Sequence, residues 1–180
     1  MSYALVRLIW LTDVPSQMRL FIQKDFFDLS ARDINGKELS FEQFRGHFTI
    51  VTNVASFCGY TESHYSQLVE LYSKLKPSGR VYILAFPCNQ FGNQEPGSNS
   101  EIDYFAKSKG VEFIMMDKID VNGMDEHVVY TYLKKITRTP AIRWNFNTYF
   151  VIDPFGKVES HTGIEPLQLF EPIKNRIDEL

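Results

Sequence analysis

The capacity for nucleophilic, redox or metal chemistry rests on a few side chains: Cys58, Cys88 and the histidines His47, His64, His127 and His161. No His stands at short ligand spacing from a Cys, so no zinc site is indicated. Two cysteines are too few for a disulfide-stapled scaffold. The histidines read as surface or core residues, with His64 solvent-facing on a helix. Cys58 is different because of its place. It sits in Val51-Thr-Asn-Val-Ala-Ser-Phe-Cys58-Gly-Tyr-Thr61, where an apolar strand pattern ends and a helix pattern begins. The first backbone N–H groups of a helix lack partners and its dipole adds partial positive charge there. Both favour thiolate over thiol, the form that attacks electrophiles. The alternative is a small buried hydrophobe, a common use of free cysteine.

A thiolate can attack a carbonyl, a disulfide or a peroxide oxygen. A dithiol exchanger would carry Cys-x-x-Cys, whereas this chain reads Cys58-Gly59-Tyr60-Thr61. Acyl chemistry needs a general acid, usually His, and an oxyanion site, and His64 supports that weakly. Peroxide cleavage needs hydrogen-bond donors around sulfur and oxygen, which neutral amide and indole N–H groups supply without titrating. Two segments could deliver them: Asn89-Gln-Phe-Gly-Asn-Gln94-Glu95 and Arg143-Trp144-Asn145-Phe-Asn147. Amides also fill turns and a Trp is most often core, so spacing does not choose among these residues.

The elements that must position them read clearly. Asn35-Gly36 between Asp25–Ala31 and Lys37–Phe44 predicts a hairpin. His47–Ala55 and Val81–Phe86 read as strands covered on both faces, with a helix over Glu62–Leu75 between them. Strand, helix, strand is a βαβ unit with parallel strands and a right-handed crossover. Ser98 to Glu101 fits a capping box opening a helix to about Lys109. Phe113–Met116 is a short extended piece, and Glu126–Ile136 is helical. Asn147–Ile152 and Lys157–Thr162 are strands joined at Asp153-Pro-Phe-Gly156. Pro166–Ile177 closes as a helix that Pro172 either kinks or restarts. A βαβ half followed by a ββα half is the thioredoxin arrangement: an α/β, thioredoxin-like fold with a central mixed sheet flanked by helices and an N-terminal β-hairpin. Cys58 then lies at a carboxyl strand end, where such sheets bind ligands.

The 180 residues suit a single domain over 25–180, with 1–24 poorly defined. A net charge of −3 and the absence of long Lys/Arg runs argue against a nucleic-acid surface. The apolar stretch Tyr3–Leu11 is too short to span a membrane and reads as either an ill-assigned start or a degenerate leader. Asp178-Glu179-Leu180 resembles an endoplasmic-reticulum retention signal with Ile177 in place of Lys. The alternative is a frayed helix end and a cytoplasmic protein.

Three segments resemble signatures of the glutathione peroxidase family: Asn53 to Thr61, Leu84 to Pro96, and Trp144-Asn145-Phe146. They occur in the family's order, and the similarity runs from about Phe26 to Ile177. The resemblance implies a peroxidatic cysteine at Cys58 with Gln94, Trp144 and Asn145 completing a catalytic tetrad. It implies reduction of hydrogen peroxide and of organic or lipid hydroperoxides, as a defence against oxidative stress. No metal or organic cofactor is implied, and glutathione or a protein dithiol serves as reducing co-substrate. Cysteine where some members carry selenocysteine fits either a natural cysteine enzyme or a substituted one.

Departures from the family pattern matter too. No resolving cysteine stands near Ala106, where thioredoxin-using members carry one. Lys134–Arg143 lacks the insertion used by tetrameric members, which implies a monomer with an open site. Tyr60 replaces a residue that is basic in many glutathione users. With the chain's Asp-Glu-Leu end, these traits look most like the endoplasmic-reticulum branch (types seven and eight), whose members pass oxidising equivalents to protein disulfide isomerase. That leaves a peroxide-driven oxidant or sensor as an alternative, and a silent binding module as another. Lys134, Lys135, Arg138 and Arg143 could meet glutathione carboxylates or lipid phosphates, or complement a helix dipole. Cys88 is a possible resolving thiol. Adjacent strands lie about 4.8 Å apart, but Cys58 is beyond its strand end and a disulfide needs Cα atoms within roughly 7 Å, so bonding requires loop movement.

Overall fold

The computed structural model describes residues 25–180. The expectations for residues 1–24, a leader among them, lie outside the described residues. Strands β1 (Ser30–Arg32) and β2 (Glu38–Ser40) form an antiparallel hairpin. Its turn places Gly36 at φ 82°, a backbone conformation that glycine adopts without cost. The hairpin is shorter than its flanking sequence suggests. Phe26–Asp28 and Phe41–Phe44 are single 3-10 turns that insert their aromatic rings into the core instead of pairing.

The main sheet runs β5-β4-β3-β6-β7. Strands β3 (Phe48–Val54) and β4 (Val81–Pro87) pair in parallel across helix α1 (Thr61–Leu75). β5 (Ile114–Met115) extends the sheet in parallel on one side. β6 (Thr148–Ile152) and β7 (Val158–Thr162) extend it antiparallel on the other. The sheet is therefore mixed, and β3, at its centre, is buried at every residue. Alternation divides the core in two. Ile50, Val54 and Ile83 meet Tyr65, Leu68 and Leu71 of α1 on one face. Val51, Leu84 and Phe86 meet the 3-10 aromatics and Val129, Tyr130 and Leu133 of the helix over Val128–Thr137 on the other.

Helix α2 (Asn99–Ser108) opens with the expected Ser98/Glu101 capping box, and α3 (Val128–Thr137) is capped by His127. The closing segment is two pieces, a 3-10 turn over Pro166–Leu169 and α4 (Phe170–Asp178). Pro172 lies in the first turn of α4, where its missing N–H has no intrahelical acceptor to lose. It marks a restart and not a kink.

Candidate active site

β3 ends at Val54, and the chain turns before α1 through Ala55 to Tyr60. Thr61, the first residue of α1, staples this turn. Its hydroxyl donates to Ala55 O (2.7 Å) and accepts from the Cys58 N–H (3.0 Å), while its own N–H donates to Cys58 O (3.0 Å). The Tyr60 N–H lies 3.5 Å from Cys58 Sγ. No side chain caps α1; the Thr61 and His64 N–H groups donate to Cys58 O and Tyr60 O, which leaves those of Glu62 and Ser63 for water or for an anion. Cys58 itself is 7% exposed.

The loop after β4 lies against this turn. The Cys88 N–H continues the β3–β4 ladder to Val54 O (3.0 Å), and the Phe57 N–H donates to Gln94 O (3.0 Å). The structure separates the loop's amides. Asn89 Oδ1 accepts the Glu95 N–H, and Gln90 is spent bracing Val121 and Asn122. Gln94 Oε1 is buried with no partner. Gly92 and Asn93 both adopt positive φ (62° and 52°). A Cβ on Gly92 would stand 3.5 Å from the Gln94 side chain, which packs against that glycine.

The third segment is tied to the end of β3. Asn53 Nδ2 donates to Asn145 Oδ1 (2.9 Å) and to Trp144 O (3.3 Å), and the Phe146 N–H donates to Asn53 O (2.8 Å). Phe146 reaches this position with φ 61°, a strained value for an aromatic residue, and is held by its packing on His64 and Tyr65. Asn145 is fully buried and its Nδ2 has no partner. Trp144 is 37% exposed, and its ring lies 5.8 Å from that of Phe91 in the Gln94 loop. A groove of about 590 Å³ lined by Tyr60, Arg143, Trp144 and Asn147 runs beside it. The backbone around a thiol at a helix start is thus bonded, at Phe57 and at Asn53, to two segments that each keep a buried, unpaired carboxamide atom. An orphaned group of this kind costs about 1–3 kcal/mol, a cost relieved for the Asn145 Nδ2 donor by a bound oxygen or sulfur that accepts, and for the Gln94 Oε1 acceptor by a bound O–H such as that of a hydroperoxide.

Other residues settle differently. His64 is buried, contrary to the expectation that it faces solvent. Its Nδ1 lies 2.6 Å from the Tyr149 hydroxyl, and burial lowers its pKa against the opposing pull of Glu165. It belongs to the α1–β6 core, because its helical position places it on the same face as Tyr65 and Leu68. Lys134 is no anion site: it donates to Glu126, Val121 O and Asn122 Oδ1. Lys135 and Arg138 are exposed at the end of α3, and Arg138 is its left-handed C-cap. Arg143 shares the groove with Tyr60 and Trp144. Cys88 is fully buried, and burial pushes its thiol up to about 11. Among the described residues no three His, Cys, Asp or Glu side chains gather as a metal-ligand set. Asn53 was legible only as a polar interruption of the β3 run, and Glu95, buried beside Gln94, carried no signal of its own.

A mixed sheet in βαβ–ββα order, with a cysteine at the turn after its central strand, defines a protein of thioredoxin-like fold. Residues 26–134 match the family model of glutathione peroxidase. The phospholipid hydroperoxide glutathione peroxidase 1, chloroplastic, of Arabidopsis thaliana is 47% identical over 146 residues, spanning 79% of this chain and 61% of that protein. The phospholipid hydroperoxide glutathione peroxidase of Bos taurus is 45% identical over 145 residues, spanning 78% of this chain and 73% of its own length. Among solved structures, T. cruzi GPX1 superposes with a TM-score of 0.68 at 32% identity, covering 86% of this chain and 97% of that one. The chain belongs to the glutathione peroxidase family, whose members are peroxide-reducing thiol oxidoreductases.

Proposed function

We propose that Cys58 is the peroxidatic residue of a thiol peroxidase acting on hydrogen peroxide and on organic or lipid hydroperoxides, with Gln94, Trp144 and Asn145 as its hydrogen-bonding partners. The observation that carries this reading is the tethering of one partner segment to the cysteine turn, through Phe57–Gln94, and of the other to the end of the strand that leads into it, through Asn53–Asn145. The thiolate attacks the terminal peroxide oxygen, the O–O bond breaks, and the departing alkoxide or hydroxide takes a proton. Cys58 becomes a sulfenic acid as the peroxide is reduced by two electrons. A first external thiol then displaces water to form a mixed disulfide, and a second restores Cys58 and leaves as the oxidised disulfide.

Glutathione or a protein dithiol such as protein disulfide isomerase or thioredoxin is the reductant in this reading. Arg143, exposed in the groove beside Trp144 and Tyr60, supports an anionic contact there, and Lys135, exposed at the end of α3, is a second cation for it in this reading. The burial and raised pKa of Cys88 favour an external reductant over Cys88 as resolving thiol. The test is steady-state turnover of lipid and hydrogen peroxides with each reductant, on wild type and Cys88→Ser. Turnover in the variant within about twofold of wild type supports external reduction. Loss of dithiol-dependent turnover alone assigns Cys88 the resolving role.

A further inference from the structure

Glu95 is the one buried carboxyl beside the cysteine turn that the reaction above does not use. Its residue is fully buried, yet neither carboxyl oxygen has a hydrogen-bond partner. Its backbone is held on both sides: its N–H donates to Asn89 Oδ1 (2.8 Å), and Lys118 Nζ donates to its carbonyl (3.2 Å) and to Gly97 O. With Ser56 and Phe57 it lines a cavity of about 490 Å³ closed by Ile102 and Phe105 of α2. Ser56 offers its N–H and hydroxyl toward the carboxyl, but neither closes a hydrogen bond. The charged and titratable groups around it are Tyr65 from α1, Cys88 after β4, Glu101 of α2 across the cavity, and Lys118 from the segment after β5. The Tyr65 hydroxyl is itself buried without a partner. Lys118 directs its ammonium to backbone carbonyls, so no cation is paired with the carboxylate form.

We propose that Glu95 is a positioning residue for peroxide reduction: as a neutral acid it keeps negative charge away from the turn that carries Cys58, and on ionising it slows attack by that thiolate. The inference rests on the reading of Cys58 as the peroxidatic residue. Physically, Glu95 touches the chain at Ser56, two residues before the thiol, through a medium too apolar to screen a new charge well. Burial raises its pKa to about 7 against the opposing pulls of Ser56 and of the Lys118 charge, so its protonation changes within the range where a peroxidase works. Glu95→Gln keeps the shape and fixes the neutral form.

The test is the second-order rate constant for hydrogen peroxide between pH 5.5 and 8.5 in wild type and Glu95→Gln. The wild-type profile is expected to carry an inflection near pH 7 that the variant lacks, with the variant roughly three- to tenfold faster above pH 8. Superimposable profiles overturn the proposal. A wild type inert to peroxide overturns the reading of Cys58 instead, so the two failures are distinct. If Glu95→Gln does not fold, the wild-type rate of iodoacetamide alkylation at Cys58, located by mass spectrometry, reads the same coupling. It should break at the midpoint at which the Glu95 carboxyl titrates by carbon-13 NMR. No break there also overturns the proposal.

Discussion

Gln94 and Asn145 both carry unpaired carboxamide atoms, but their other bonds differ, and the difference is testable. The Gln94 side chain makes no internal hydrogen bond at its oxygen, so Gln94→Ala removes a partner for the reacting atoms and little of the fold. Its rate constant for peroxide should drop by roughly 10²-fold, the usual loss for one preorganised hydrogen-bonding group, at an unchanged melting temperature. Asn145 also accepts from Asn53. Asn145→Ala should therefore slow the reaction and cost about 1–3 kcal/mol by orphaning a buried amide, read by chemical denaturation. Were Gln94→Ala to match wild type in rate, the role of that glutamine would be wrong. In the sequence, Gln94 stood among equivalent amides (Asn89, Gln90, Asn93), and only the family resemblance singled it out. The structure separates these amides by their bonds: Asn89 and Gln90 are consumed in bracing the loop, whereas Gln94 Oε1 is buried without a partner.

At the scale of elements, the cysteine turn depends on a residue outside it. Thr61 ties α1 to both Ala55 and Cys58 through one hydroxyl. Thr61→Val retains the shape and leaves the Cys58 N–H and the Ala55 carbonyl unpaired, at an expected cost of about 1–3 kcal/mol, with a changed alkylation rate at Cys58. Equal stability and equal alkylation would mean that the turn holds itself. The strands and helices around it were legible because apolar periods of two and near four residues separate cleanly, and the Ser98 capping box was readable residue by residue. Tertiary demands were not. The apolar runs flanking Asn35-Gly36 became 3-10 turns because their phenylalanines fill the second core instead of extending strands. His64 turned inward because Tyr149, far along the chain, supplies its partner. No local pattern encodes either choice.

For the whole molecule, one buried histidine, one half-buried histidine and one buried acid give stability opposite slopes with pH. Burial lowers the pKa of His64 and of His127. Protons then bind the unfolded chain more readily, and stability is lost as pH falls below about 6.5. Glu95 acts in the other direction. Its pKa is raised to about 7, so the folded state holds a proton that the unfolded state has released. Stability is lost as pH rises from the unfolded carboxylate value of about 4.3 to that point, and then levels. Urea midpoints from pH 5 to 8.5 should show wild type losing ground to Glu95→Gln up to about pH 7, with a constant gap above. A gap that stays flat throughout would contradict the buried acid. The monomer expected from the short segment after α3 is a proposal: a sedimentation mass near 20.9 kDa would agree with it, and a multiple of that mass would contradict it.

The most direct test of the account is a stopped-flow reaction of reduced protein with hydrogen peroxide, in wild type and in Cys58→Ser, with dimedone trapping and mass spectrometry of the product. One equivalent of peroxide should be consumed rapidly by wild type, with the dimedone adduct on Cys58 and no fast phase in the variant. A fast phase that survives Cys58→Ser, or an adduct placed on Cys88 alone, would contradict it.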